Sequence, residues 1–409
     1  MRLKNKVLRI LVVSVMIGVF APAVSLAEQG VYEDKVVVGA WMALSGVLAT
    51  MGKQDTQAVR AYLNMINEEG GVNGRTIEWI VEDDEYKPER TVAVARKLDK
   101  VDKVFAYVLC LGTGNTMAAY NAYVKQADIP IVGLQSTGVT VSQPPKRLIF
   151  AVTTSQYVEN RAYVDYALKV HNAKKLGLLY QNDEFGQMGS EQCKIQAKKL
   201  GAKVVSEQKF ETQTTDVTSQ ILSLKKANPD AVIVTSTGDR QAIILKEAAK
   251  FDYHPVWFFQ AALNDPDVLE LAGEAADGAH CSILNDPLDA KTPSMELFRK
   301  TMQKYYPGQT LTQNHQCSWT AIHSVVEAFK RMDRNNFTRE NLIRTLEGFK
   351  GDNCAFSGVG PPVCYDTVDS GDIFARRGND RAKIAKVVYI PELKKNRIIP
   401  VSGWIGPTR

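Results

Sequence analysis

The stretch Lys35–Asp84, KVVVGAWMALSGVLATMGKQDTQAVRAYLNMINEEGGVNGRTIEWIVEDD, decides the fold class. Lys35 to Ala40 is a short β-branched run, which reads as a strand. After the loop Leu44 to Gly52, the residues Ala58, Ala61, Tyr62, Met65 and Ile66 recur at i, i+3, i+4, i+7 and i+8, the apolar stripe of a helix. Gly70, Gly71 and Gly74 stop that helix, and Thr76 to Val81 is a second strand running into the acidic segment Glu82 to Glu85. Strand, helix, strand at this spacing is a βαβ unit, and such crossovers build parallel sheets covered on both faces.

The unit repeats downstream. Pro88 opens a helix carrying Val92, Ala95 and Leu98; Val104 to Leu109 is a buried strand, Thr116 to Gln126 a helix and Ile129 to Leu134 a strand. A second series begins near Phe150, with helices at Val158 to Val170, Gly189 to Leu200, Val217 to Ala227 and Gln241 to Lys250. They alternate with strands at Leu176 to Tyr180, Lys203 to Phe210, Asp230 to Thr235 and Val256 to Phe259. A helix at Ser318 to Met332 and a strand-rich stretch from Ala385 could dock on either series. The expected architecture is α/β, with two doubly wound parallel-sheet lobes. No low-complexity linker separates them, so short crossings fit better than beads on a string.

Arg2, Lys4, Lys6 and Arg9 precede the apolar run Ile10 to Phe20, and Ser25-Leu26-Ala27 offers small residues for cleavage, the layout of a signal peptide. The run of 11 residues is short beside the roughly 20 a membrane span needs. A cut after Ala27 leaves a chain without an N-terminal Cys for lipid anchoring, expected to be exported and not embedded in a membrane. It also removes four cations, taking the net charge from +5 to about +1, so no basic field for nucleic acid remains. The six cysteines (Cys110, Cys193, Cys281, Cys317, Cys354, Cys364) then meet an oxidising compartment. Six allow roughly 15 connectivities, and only Cys354 and Cys364, flanking the Gly- and Pro-rich loop Ser357 to Pro362, stand out as a candidate pair. No Cys-x-x-Cys and no histidine cluster suggests a metal, and no cofactor is expected.

Seven motifs occur in one order: Leu44-Ser45-Gly46 with Met51-Gly52; Gly70-Gly71-Val72-Asn73-Gly74-Arg75; Asp83-Asp84 with Pro88; Gly112-Thr113; Asn182-Asp183 with Phe185-Gly186; Asn228-Pro229-Asp230; and Val401-Ser402-Gly403-Trp404. Together they resemble the leucine/isoleucine/valine-binding protein family, the type I periplasmic binding proteins, over nearly all of the chain after the leader. The resemblance implies an N-terminal lobe of residues 28–151 plus 283–365, a C-terminal lobe of 152–282 plus 366–409, and a hinge crossed three times. It also implies a periplasmic solute-binding protein, expected to be monomeric, that serves an inner-membrane ABC permease and its ATPase.

The same resemblance places a ligand in the cleft. Leu111, Gly112 and Thr113, with Gln135, Ser136 and Thr137, would hold a carboxylate or polar head by backbone amides and hydroxyls, while Phe185 covers the ligand from the second lobe. Met51, Thr237, Gln260, Ala261 and Cys317 fall at further wall positions. Read without the family, Thr113 is a plain helix cap and Phe185 an aromatic in a polar loop. Amino-acid receptors of the family hold the ligand's ammonium with a carboxylate after the strand matching Val256 to Phe259. Here that place reads Gln260-Ala261-Ala262, with no acid until Asp265. The expected ligand is therefore a small carboxylate, a hydrophobic or aromatic acid in preference to a branched-chain-like amino acid.

Other function classes find less support. Gly112-Thr113-Gly114 lacks the third glycine of a dinucleotide loop, where Met117 stands. No Gly-x-Ser-x-Gly elbow or His-Glu-x-x-His helix occurs, so an α/β hydrolase is a weak alternative and the chain reads as non-enzymatic. A periplasmic sensor that presents its closed form to a signalling receptor is the competing use of the same fold.

Overall fold

The computed structural model describes residues 28–406. The leader with its cut after Ala27, and residues 407–409, lie outside the described residues. Twelve strands form two sheets among them. The first contains β1 (Lys35–Met42), β2 (Thr76–Asp83), β3 (Tyr107–Val108), β4 (Ile131–Leu134) and β5 (Ile149–Ala151), in the order β2-β1-β3-β4-β5, all parallel. The second contains β6 (Lys175–Gln181), β7 (Lys203–Phe210), β8 (Ala231–Thr235), β9 (Val256–Phe259), β10 (His280–Ile283), β11 (Lys383–Ile390) and β12 (Lys395–Pro400), in the order β12-β11-β10-β9-β8-β6-β7.

Burial follows position in the sheets. β1 is buried at seven of its eight residues and β8 at all five, because helices cover both faces of a central parallel strand. The edge strand β7 alternates exposed and half-buried residues up to Phe210. The second sheet departs from the all-parallel expectation at one edge, where β11 pairs antiparallel with both β10 and β12. β11 returns after an excursion of about a hundred residues through the first lobe, so its direction is free of the crossover rule that keeps βαβ strands parallel.

That excursion carries most of what the sequence patterns did not show. The helix expected at Ser318 to Met332 starts earlier, at Gln313, where Thr312 and His315 exchange hydrogen bonds in a capping box. Helices Pro293–Tyr305 and Arg339–Glu347 join it, and Phe298, Trp319, Phe329, Leu346 and Tyr365 share a core with Val36, Trp41 and Phe105 of the first sheet. The strand expected at Val104 to Leu109 is regular only at Tyr107–Val108, although Phe105 still donates to the Val37 carbonyl at 2.7 Å. The helix expected from Thr116 begins at Thr113 and contains a π turn at Tyr120–Val124.

The chain therefore leaves the first sheet after β5, returns to the first core after β10, and rejoins the second sheet at β11. The third passage is tied to the first by two buried side chains. Arg377 donates to the carbonyls of Ser136, Thr153 (3.0 Å) and Gly138 (2.8 Å), and Asp380 accepts from the amide and hydroxyl of Ser155 at 2.7 and 2.8 Å. Cys354 and Cys364 are joined in a disulfide across the short bridge Ala355–Val363; Cys110, Cys193, Cys281 and Cys317 are free. Among the described residues no helix is long and apolar enough to cross a membrane, and no group of three or more His, Cys, Asp or Glu side chains is placed to hold a metal ion.

Candidate ligand-binding site

The carboxyl ends of the strands from both sheets face a common cleft, where loops and helix N-termini present unshared backbone groups. Its cavity has about 100 Å³ open to the centres of water-sized spheres. From the first lobe it is lined by Leu111, Gly112 and Thr113 after β3, Gln135, Ser136 and Thr137 after β4, and Met51 and Cys317 on the helices Ala49–Glu68 and Gln313–Arg331. From the second it is lined by Phe185 after β6, Thr237 after β8, and Gln260 and Ala261 after β9. All twelve residues singled out from the sequence thus line this one cavity.

The first-lobe wall is rigid for local reasons. Gly112 has φ of 101°, a left-handed conformation, and a Cβ there would stand 2.9 Å from the Tyr86 ring. Gly112 donates to the Gln135 carbonyl at 3.1 Å and Gln135 to the Cys110 carbonyl at 2.9 Å, which locks the two loops side by side. Thr113 Oγ1 and Ser136 Oγ share a hydrogen bond of 2.9 Å. The Arg377 guanidinium donates to the carbonyls of Ser136 and Gly138 in the same loop. Burial lowers its pKa only to about 10, so it is a fixed positive charge behind Thr137 at neutral pH.

On the second-lobe wall Phe185 is buried, and its carbonyl accepts from Gln156 Nε2 at 2.7 Å. Thr237 is held by its amide and hydroxyl, which both donate to Gln181 Oε1 at 3.1 Å. Gln260 donates to Asn160 Oδ1 at 2.9 Å.

Sequence reasoning missed the two most polar features of the lining. Glu159 and Asp55 both face the cavity and are almost wholly buried. Glu159 accepts from the amide of Ala261 at 3.1 Å, from Tyr163 Oη at 3.3 Å and from Ser282 Oγ; burial nevertheless pushes its carboxyl up to about 7. Asp55 accepts from Ser318 Oγ at 2.8 Å and is likewise pushed up by burial to about 7. The carboxyl that residues 260–262 lack is therefore supplied at the same spot by a helix 102 residues upstream. Three hydroxyls of the lining, those of Thr137, Thr153 and Ser236, are buried without a protein partner. Among the described residues no Lys, Arg or His lines the cavity.

Two α/β lobes with their strand ends turned to a shared, polar-walled cleft define a type I periplasmic binding protein fold. The chain belongs to the periplasmic binding protein family, whose profile matches residues 35–382. An amino acid binding protein of Pseudomonas aeruginosa is 29% identical over 170 residues, 42% of this chain; the chain spans less than half, 45%, of that relative. Among solved structures, a branched chain amino acid ABC transporter protein from Thermus thermophilus with bound valine superposes with a TM-score of 0.79 at 22% identity, covering 92% of this chain and 98% of that one. A fatty acid ABC transporter substrate-binding protein from Thermomonospora curvata gives a TM-score of 0.80 at 22% identity, covering 93% and 94%. The fold is thus shared by proteins named for different solutes.

Proposed function

We propose that this chain is an exported, periplasmic solute receptor of an ABC importer, acting as a monomer, that closes its two lobes on a small amino-acid-type ligand and hands it unchanged to an inner-membrane permease with its ATPase. The two moving bodies are residues 28–151 plus 283–365, and 152–282 plus 366–409. One observation carries this reading: the cavity is walled by both lobes, and buried hydroxyls without a partner come from each side, Thr137 from the first and Ser236 from the second. A ligand that supplies the missing hydrogen bonds favours the closed form over the open one.

The ligand's carboxylate docks at Thr113 and Thr137, where a hydroxyl, loop amides and the field of Arg377 favour an anion. Its apolar body lies under Phe185, and its ammonium pairs with Glu159, since a buried cation needs a buried anion. Glu159 is the reason for preferring an amino acid to a hydrophobic acid without an amine.

Calorimetric titration of ligand-free protein with L-leucine and with isocaproate, which differ by the ammonium group, tests the head of the site. Tighter binding of leucine is expected, with the ligand recovered unchanged. In Thr113→Val the affinity should fall roughly tenfold to a hundredfold, the worth of a hydrogen bond to a charged group. Binding of isocaproate but not leucine, or an unaltered affinity in Thr113→Val, would contradict it.

A further inference from the structure

We infer that the ligand's side chain ends in a group that donates N–H hydrogen bonds to Asp55, an amide or an ammonium, and that Asp55 is the residue that discriminates against plain aliphatic side chains. The inference deepens the amino-acid reading above and rests on it. Asp55 lies on the helix Ala49–Glu68, one turn after Met51, and faces the cavity beside Cys317 and Asn314 of the helix Gln313–Arg331. Its place is on the first lobe, whereas the ammonium site at Glu159 is on the second.

An ionised carboxylate has about four acceptor positions. The structure shows one hydrogen bond to Asp55, from Ser318 Oγ at 2.8 Å to Oδ1. That hydroxyl itself accepts from Gln135 Nε2 at 3.1 Å, so its proton is committed to Asp55 and it has no second one to give. Asn314 is turned elsewhere, donating to Gln54 Oε1 at 2.9 Å, and the Cys317 thiol, pushed up to about 12 by burial, accepts from Asn285 Nδ2 at 3.1 Å. No basic side chain lines the cavity among the described residues, so no protein cation balances Asp55.

A second, independent observation also points to the ligand. The Ser236 hydroxyl, fully buried and without a partner, lines the same cavity from the opposite lobe. An aliphatic side chain in this space would leave the Asp55 carboxyl desolvated and under-bonded, whereas a terminal amide or ammonium would complete it. The upward displacement of the Asp55 pKa fits a carboxyl that lacks a counter-charge until the ligand arrives.

The test is calorimetric titration at pH 7.5 with L-norleucine, L-glutamine, L-ornithine and isocaproate. Glutamine or ornithine should bind at least tenfold more tightly than norleucine. Asp55→Leu should bring norleucine level with or ahead of the tighter of the two, and cost that ligand at least tenfold. Asp55→Asn, of the same shape, separates the two donors: an amide ligand should be retained within a few-fold and an ammonium ligand lost. Circular dichroism melting checks that each variant folds; if Asp55→Leu does not, the wild-type ranking and Asp55→Asn decide. Norleucine binding as tightly as both donor ligands, or a ranking unmoved by the variants, overturns this inference alone. Isocaproate binding with none of the amino acids, or no binding of any of the four, overturns the amino-acid reading and this inference with it.

Discussion

Glu159 stands in the first turn of the helix Gln156–Val170, with Ser282 Oγ, Tyr163 Oη and the Ala261 amide against its carboxyl and Asp380 adding negative charge nearby. Its folded pKa of about 7 lies above the ordinary 4.5, so the folded protein holds a proton there that the unfolded chain has lost. The stability this gives is fully present below about pH 4.5 and is lost as pH rises to about 7. Asp55 acts in the same sense. The buried His280 and His315 act in the opposite sense, since burial drives both to about 4 and stability is lost as pH falls below about 6.5. Wild type alone mixes these trends, and the difference from Glu159→Gln isolates one of them. The ligand-free variant should gain stability relative to wild type between pH 5 and pH 8, by at most about 3 kcal/mol, read from denaturant melts at each pH. A difference that does not change with pH would remove the carboxyl from the buried, unpaired setting described. Thr113, Thr137 and Phe185 were placed at the cavity through the family resemblance, whose motifs fall in loops after strands. Glu159 and Asp55 were not, because each sits on a helix whose face toward the cleft depends on packing between segments more than a hundred residues apart.

At the level of elements, the βαβ pattern was legible wherever a strand is buried on both faces, as in Val36 to Ala40 and Ala231 to Val234. The helices Pro293–Tyr305 and Arg339–Glu347 were not read, although Pro293 at the first helical position and Thr292 as a cap give a local start signal. Neither lies between two strands of one sheet, so the alternation that made the other helices plain is absent. The disulfide belongs to this scale. Cys354 and Cys364 close a loop with a sequence separation of 10, between the helix Arg339–Glu347 and the third passage between lobes. Closing so short a loop restrains the unfolded chain by about 2 to 3 kcal/mol on a chain-entropy basis. Reduction, or the double change Cys354→Ser with Cys364→Ser, should lower stability by that amount in denaturant melts. It should leave ligand affinity nearly unchanged, because neither residue lines the cavity. A loss of affinity without loss of stability would mean that the loop acts on the cleft.

At the scale of the whole molecule, two hydrogen bonds join the lobes on either side of the cavity. Gln54 of the first lobe donates to Asp265 of the second at 3.0 Å, and Thr140 donates to Glu184 at 2.6 Å. Both are single hydrogen bonds to carboxylates, each worth about 1.5 to 3 kcal/mol net, a margin that solvation of the opened cleft and of the freed carboxylates offsets. The ligand-free protein should therefore be mostly open, turning about the passages near Ala151–Ser155, Ile283–Asn285 and Arg377–Asp380. Filling the site adds the hydrogen bonds that Thr137 and Ser236 lack and gives the carboxyls of Asp55 and Glu159 a ligand partner, which is the differential affinity that closure requires. The most direct measurement is small-angle X-ray scattering of the ligand-free protein during titration with L-leucine, L-glutamine and L-ornithine in turn. For at least one of them, the radius of gyration should fall and level off at one ligand per chain, with the ligand recovered unaltered afterwards. A radius that stays constant through saturation of the site, or a ligand recovered as a reaction product, would contradict capture by closure.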